Sequence, residues 1–315
     1  MTSEAFVVVP SYNHAPYIEK CLRSIIGQTV HPAKLLIIDD GSRDGSPQII
    51  ESVLKDCPFP SELIARENHG LCRTLNQALS LSSGKYFAYI GSDDLWLPEF
   101  LSERVNLMEL RAKAVLAYGH AYLINDQDQI YDRTSDYSDS WGDFPDGDAK
   151  DMLLDGFAPI SSTVLYRRSV IENIGWNDTA KLEDYEMYLR LAKIGDFAFD
   201  PQILSAWRNH GYNTSKNLLM MHDEVMQAQR RHITGFGISE PELIAVQMRT
   251  KFRYAQMLLQ EGEKAAGISL LVQGWRAARS LREVAKLLIQ IILPKALLLK
   301  YRDAKRAKNI TANPH

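Results

Sequence analysis

The chain has 315 residues, 45% of them hydrophobic and 24% charged, which suits a folded soluble protein of one large domain or of one domain plus an appendage. A net charge of −3 offers no overall basic field for nucleic acid. The three cysteines, Cys21, Cys57 and Cys72, lack metal-ligand spacing and cannot all pair, as expected of buried thiols in a reducing compartment, and the opening Met1-Thr2-Ser3-Glu4 does not read as a secretory leader.

Through the first 125 residues short apolar runs alternate with helical patterns. Phe6 to Val9 reads as a buried strand. Pro16 suits a helix start, and Ile18, Leu22, Ile25 and Ile26 make a helical apolar face. Leu35 to Ile38 is a second strand, followed by a helix facing inward through Ile49, Ile50, Val53 and Leu54. Glu62 to Ala65 is a weaker strand, with a helix through Leu71, Leu75, Ala78 and Leu79. Tyr86 to Ile90 is a fourth strand, followed by a helix through Phe100, Val105 and Leu110, and Val115 to Ile124 is a fifth strand. Strand–helix alternation with continuous apolar strands predicts an α/β fold, a mostly parallel sheet with helices on both faces.

The polar stretch from Asn125 to Lys150 reads as a mobile loop. Order is expected to return with a strand over 162–166 and helices around Val170 to Ile174 and Asp184 to Lys193. From Leu218 the pattern is helical only, which divides the chain into a sheet domain, 1–217, and a helical extension, 218–315. Phe252, Ala255, Leu258 and Leu259, then Ala266, Ile268, Leu271 and Trp275, predict a helical hairpin. Leu287 to Leu299 is strongly apolar but interrupted by Gln290, Pro294 and Lys295, and too short to span a bilayer. With Lys286, Lys295, Lys300, Arg302, Lys305, Arg306 and Lys308 around it, residues 286–308 fit an interfacial anchor on a membrane. They fit equally a helix packed on its own protein with a solvated basic tail.

In an open parallel sheet, ligands bind beyond the carboxyl ends of the strands. Four polar clusters fall there: Pro10-Ser11-Tyr12-Asn13, Asp39-Asp40-Gly41-Ser42, Asn68-His69-Gly70 and Ser92-Asp93-Asp94. Two adjacent carboxylates at the tip of a buried strand are costly unless a positive group meets them. A divalent cation holding a diphosphate would do so, and Mg²⁺ or Mn²⁺ suits carboxylate oxygens. The alternative is that Asp94 caps a helix. The absence of GxGxxG after the first strand and of GxxxxGK[ST] anywhere disfavours a dinucleotide fold and a P-loop.

The segments VVVPSYNHAPYIEKCLRSIIGQT, LLIIDDGSRDGS and YFAYIGSDDLWLP, in this order and spacing, resemble family 2 glycosyltransferases of the A-type fold, over roughly residues 5 to 215. The resemblance implies a Rossmann-like sheet domain and an inverting transferase that uses a nucleotide-diphosphate sugar and a divalent cation, Mn²⁺ or Mg²⁺. It assigns Pro10 and Tyr12 to the nucleobase pocket and Asp40 to the N3–H of uracil or thymine, with a UDP-sugar as the expected donor. Asp93 falls at the ribose contact and Asp94 at the metal ligand. The family often has Arg-Asn late in its third helix. Leu75-Asn76 stands there in this chain, and Arg73 is the arginine available to the nucleotide.

Lys181-Leu182-Glu183-Asp184-Tyr185 resembles the family's acidic motif and puts Asp184 at the catalytic base, with helix N-terminal charge as the plainer reading. Trp176-Asn177-Asp178 departs from the Phe-Asp usual before it. Trp207 to Ser215 resembles the closing segment of the family, where His210 would complete the metal shell and Arg208 would meet the diphosphate. The implied setting is the cytoplasm or the cytoplasmic membrane face, with a glycan or lipid-linked acceptor in cell-envelope polysaccharide synthesis. Two other classes remain: a nucleotidyltransferase that makes the nucleotide sugar, and a non-catalytic sugar-nucleotide or glycan-binding module. The first would need a glycine-rich basic loop where Ser11-Tyr12-Asn13-His14 stands, and the second has no need of Asp94 and Asp184 together.

Overall fold

The computed structural model describes residues 2–136, 144–211, 213–278 and 280–312. The chain forms two compact units, residues 1–149 with 158–209 and residues 150–157 with 210–315. Part of the polar stretch, 137–143, lies outside the described residues, as do Tyr212 of the closing segment and the Lys308 side chain.

The first unit is built on β1 (Ala5–Ser11), α1 (Ile18–Ile26), β2 (Lys34–Asp39), α2 (Ser46–Leu54), β3 (Ser61–Ala65), α3 (Leu71–Leu81), β4 (Tyr86–Tyr89), β5 (Leu95–Trp96), α4 (Phe100–Leu110) and β6 (Ala114–Ile124). The alternation expected from the apolar runs is present through β4. Strands β3, β2, β1 and β4 lie side by side and parallel, with Val7 opposite Leu35 and Ala88. Alternate residues of β1 serve opposite faces. Ala5, Val7 and Val9 pack with Ile18, Cys21, Leu22 and Ile25 of α1, Ile50 of α2 and Phe100 of α4. Each such fully buried aliphatic side chain contributes about 1.5–3 kcal/mol. On the other face Phe6 stacks on Phe87.

Beyond β4 the sheet changes character. A polar hairpin turn leads from β6 to β7 (Ile130–Arg133), and β8 (Leu165–Arg167), α6 (Arg168–Ile171), α7 (Glu183–Leu191) and β9 (Asp196–Arg208) follow α5 (Lys150–Leu154). The full order is β3-β2-β1-β4-β8-β6-β9-β5, with β7 on β6. Here β8 is antiparallel to both β4 and β6, while β9 runs parallel to β6. The stretch expected as a mobile loop thus contains a strand. The Asn125 side chain accepts the Gln127 and Gln129 N–H groups, and Asp128 takes a positive φ of 63°, which closes a tight turn.

The apolar pattern does not announce β9, because Asp200-Pro201 breaks it. The ladder absorbs the break: Asp200 faces Gly119 and Ile203 faces His120, so Pro201 and Gln202 bulge out of the pairing. Arg104 of α4 is wholly buried and bonds Asp200 at 2.6 Å and the Thr163 carbonyl at 3.1 Å. Burial pulls its guanidinium down to about 10, against the pull of the Asp200 charge.

The second unit is helical among its described residues: α5, α8 (Leu218–His232), α9 (Glu240–Gln260), α10 (Lys264–Gly274), α11 (Leu281–Ile292) and α12 (Lys295–Ala312). Leu154, Ile233, Leu243 and Val246 form one cluster, beside a buried polar link in which Gln229 bonds the Leu154 carbonyl and Thr250. Ser239 and Glu242 make a reciprocal cap at the start of α9. The expected hairpin is α9 with α10, where Gly274 lies so close to the α9 backbone that a Cβ would meet the Phe252 nitrogen at 2.8 Å. Phe252, Leu259 and Leu287 carry the packing on to α11. No helix among the described residues is long and apolar enough to cross a membrane.

Candidate active site

Three groups of polar residues gather at the carboxyl ends of the parallel strands. The first is at β1 and β2. Asp39 accepts from Ser11 Oγ at 3.1 Å, the Ser42 N–H at 2.8 Å and Ser42 Oγ at 2.7 Å. Asp40, one residue past β2, accepts the His69 N–H at 2.9 Å and the Gly70 N–H at 2.7 Å. Gly70 carries a φ of 88°, the left-handed region open to glycine, and so turns its N–H toward the carboxylate at the start of α3. Pro10, next to last in β1, is partly buried, and Tyr12 just beyond the strand is half exposed.

The arginine at Asp40 is Arg66, which sequence reasoning did not single out. Its Nη1 pairs with Asp40, Nη2 donates to Thr74 Oγ1 at 2.7 Å and Nε to Gln77 Oε1 at 2.9 Å. The available signal was its place, directly after β3 at the same sheet edge. Arg73, expected at the nucleotide, is exposed instead and pairs with Asp178 at 3.2 Å. It sits on the face of α3 that looks toward the 176–178 segment, not toward Asp40. Asn76 anchors that segment, exchanging bonds with the Trp176 backbone at 2.7 and 2.9 Å and reaching Asp178 at 3.0 Å.

The second group is Ser92-Asp93-Asp94 beyond β4. Asp94, the metal ligand that the resemblance implies, has a buried carboxylate that accepts the Arg208 N–H at 2.8 Å. Desolvation first, and the neighbouring Asp93 charge second, push its proton affinity well above the usual carboxylate range. Asp93 is the carboxylate that faces other metal-competent groups. It lies 3.8 Å from His14 Nδ1, and that nitrogen is 2.7 Å from Ser92 Oγ. His14, another residue missed in the sequence, follows β1 as Asp93 follows β4, which is the signal that could have found it.

Arg208, expected to meet a diphosphate, is sealed in the protein interior. Its Nε donates to the Asp93 carbonyl at 2.6 Å and Nη1 to the Asn125 carbonyl at 2.7 Å, and Nη2 lies 2.6 Å from Asp128. The Tyr17 ring covers it at 4.8 Å. It clamps the ends of β4, β6 and β9 together. His210 follows two residues later at the start of the second unit, buried, with its N–H on Asn213 Oδ1 at 2.5 Å.

The third group is Glu183-Asp184 at the start of α7. Asp184 accepts the Tyr185 N–H at 2.6 Å, and Glu183 accepts from Tyr89 Oη at 3.2 Å, which ties the pair to the end of β4. Desolvation raises Glu183 to about 8, helped by the Asp184 charge, and raises Asp184 to about 6 against the backbone bonds that favour its ionised form. Two adjacent carboxyls with proton affinities lifted toward neutrality are suited to acid–base work. The Cys72 thiol near them is driven up to about 12 by burial and then by the Glu183 charge, which makes it a poor nucleophile.

The family model for glycosyl transferase family 2 matches residues 6–175, which takes in the first two groups. The chain belongs to that family. An uncharacterized glycosyltransferase of Nostoc sp. is 24% identical over 85% of this chain and 88% of its own length. The putative glycosyltransferase EpsH of Bacillus subtilis is 31% identical over 54% of this chain and 49% of its own length. Among solved structures, the mannosyltransferase PcManGT of Pyrobaculum calidifontis, in complex with GDP-Man and Mn²⁺, superposes with a TM-score of 0.63 at 17% identity, over 98% of this chain and 84% of that one. S. aureus TarS 1-349, in complex with UDP-GlcNAc, gives 0.62 at 15% identity, over 97% and 90%. At such identities the likeness speaks for the fold, and this family 2 transferase has the A-type glycosyltransferase fold.

Proposed function

We propose that this family 2 enzyme is an inverting glycosyltransferase that moves a sugar from a nucleoside-diphosphate donor, UDP-linked, to a hydroxyl of a glycan or lipid-linked acceptor in cell-envelope polysaccharide synthesis. The observation that carries the mechanism is the Glu183-Asp184 pair, tied through Tyr89 to the strand end that bears Asp93. Asp184 takes the proton of the acceptor hydroxyl as that oxygen attacks the anomeric carbon from the face opposite the diphosphate. Glu183, with the higher proton affinity, keeps its proton near neutral pH and leaves Asp184 as the ionised member.

Asp40 fits the N3–H of uracil, with Arg66 and two backbone N–H groups fixing its orientation, and Tyr12 offers an exposed ring for stacking. Asp93 with His14 supplies donors for a divalent cation, the role that the family resemblance implies for His210 as well. A carboxylate with imidazoles suits Mn²⁺, and Mg²⁺ less closely. When bound, the cation supplies positive charge to the leaving diphosphate. Asp94 and Arg208 act behind this set by holding the backbone around Asp93.

The envelope setting is supported by similarity to a putative teichuronic acid biosynthesis glycosyltransferase, TuaG, of Bacillus subtilis, 31% identical over 38% of this chain and 48% of its own length. The site of action is the cytoplasm, with membrane contact through residues 286–308. The neighbour that binds GDP-Man makes the base the point to test. Nucleotide release from a panel of UDP-, GDP-, CDP- and dTDP-sugars with Mn²⁺ should be fastest for a UDP-sugar, and the product should have the inverted anomeric configuration. Release confined to GDP-sugars would overturn the base assignment, and a retained configuration would overturn the mechanism.

A further inference from the structure

The second unit presents an apolar surface on the side of α11 that faces solvent. Leu287 of this helix is buried with Phe252 and Leu259, and Ile291 packs beside them. That contact satisfies one face. At four-residue spacing on another face stand Val284, Leu288 and Ile292, with Ile289 beside them, exposed by 37%, 53%, 79% and 55%. After the break at Pro294, α12 repeats the arrangement: Leu298 is buried, while Leu297 and Tyr301 are 52% and 75% exposed. A helix on the outside of a soluble protein ordinarily turns charge to water and buries one stripe. These two helices carry aliphatic side chains on both sides, so the outer set is matched to a partner.

Charge selects that partner. Arg282, Lys286 and Lys300 are exposed around the apolar strip. Two cations that the sequence assigns to the same basic cluster are engaged inside the unit: Lys295 pairs with Glu263 at 3.1 Å, and Arg302 pairs with Glu261. The acids on the two helices are Glu283, partly buried, and Asp303, which lies 3.2 Å from Arg302. A second copy docked through the same face would bring the basic rim of one chain against that of the other, a like-charge arrangement. An anionic bilayer accepts both features, taking the aliphatic side chains at its interface and the cations at its headgroups.

We infer that the outward face of α11, continued by Leu297 and Tyr301 of α12, docks this protein peripherally on an anionic lipid surface, with Val284, Leu288, Ile289 and Ile292 as the inserted side chains. The surface refines the membrane contact proposed for residues 286–308 and rests on that proposal only in placing the enzyme at a membrane. It narrows the segment expected from sequence: Leu287, Ile291 and Leu298 of the apolar run pack inward, while Val284, which precedes the segment, joins the outer set.

Sedimentation of the full chain with vesicles tests it, without any readout of transfer. The protein should pellet at low salt with vesicles of phosphatidylglycerol and phosphatidylcholine, less at high salt, and little with phosphatidylcholine alone. The triple variant Leu288→Ser, Ile289→Ser, Ile292→Ser should bind on the order of tenfold less. Arg282→Glu with Lys286→Glu, at exposed positions that do not challenge folding, should fall by a similar factor on anionic vesicles. Thermal unfolding and nucleotide release should be unchanged in both. Wild-type protein that stays in the supernatant at low salt, or a triple variant that pellets as well as wild type, would overturn the inference. A concentration-dependent dimer dissolved by the triple substitution would also overturn it and give the face to a second copy. Failure of transfer with vesicle binding intact would leave this surface standing and count against the catalytic assignment alone.

Discussion

At the β1–β2 end of the sheet, Asp39 and Asp40 are ringed by donors, whereas at the start of α7 Glu183 and Asp184 are half-buried with few. Asp40 alone receives two backbone N–H groups and Arg66. Glu183 receives the Tyr89 hydroxyl, and Asp184 its neighbour's N–H. The same side-chain chemistry is put to two uses by its surroundings. Carboxylates held from several sides are fixed in direction, which suits recognition of a rigid base. Carboxylates desolvated without matching donors hold protons near neutral pH, which suits transfer of a proton.

The largest test of this contrast is Asp184→Asn. The substitution should keep donor affinity within a few fold and lower turnover by roughly 10²–10⁴-fold, the usual scale of acid–base catalysis. Steady-state rates beside donor titration would show it, and a parallel loss of donor affinity would merge the two regions into one. Next in size is Arg104→Met, which strips the buried Asp200 of its partner and should destabilise the antiparallel side of the sheet by about 3–5 kcal/mol. Denaturant unfolding measures it, and a loss under about 1 kcal/mol would mean that Asp200 finds water or another donor.

The pH dependence runs in opposite directions for stability and for activity. The folded chain binds protons on Glu183 and Asp184 where an unfolded chain has released them. Their contribution to stability is complete below about pH 4 and is lost as pH rises through about 6 and then about 8. Activity that needs ionised Asp184 falls as pH drops through about 6. Glu183→Gln should shrink the difference in melting temperature between about pH 5.5 and about pH 8.5. An unchanged difference would place the titration elsewhere. The smallest effect is expected of Arg73→Ala. Its ion pair with Asp178 is exposed, so stability should change by about 0–1 kcal/mol and UDP affinity should not change measurably. A large loss of UDP affinity would return Arg73 to the nucleotide.

The parallel half was readable because its strands are continuous apolar runs and its candidate site residues follow them directly. Phe6 to Val9 and Leu35 to Ile38 are buried on both faces, so burial and sequence carry the same pattern. The other half was harder. Strand β9 is interrupted by a bulge at Pro201, and β5 has two residues, so neither leaves a periodic trace. Among candidate site residues, Asp40 lies one residue past β2 and the 183–184 pair at the start of α7. Asp94 turns inward onto the Arg208 N–H, and Arg208 is sealed by Asn125 and Asp128, all brought to the same place from distant parts of the chain. Sequence spacing carries no record of such a contact. Arg66 and His14 were missed for a related reason: single polar residues after a strand look like loop until the sheet order puts them side by side.

The central claim is that one region binds the donor and the other performs the chemistry. Isothermal titration of UDP and of GDP into wild type, Asp40→Asn and Asp184→Asn, each with Mn²⁺ and with EDTA, tests it most directly. Wild type and Asp184→Asn should bind UDP within a few fold of each other, both only with the cation, and Asp40→Asn should lose its preference for UDP over GDP. Cation-independent binding, or equal binding of UDP and GDP by wild type, would contradict the account.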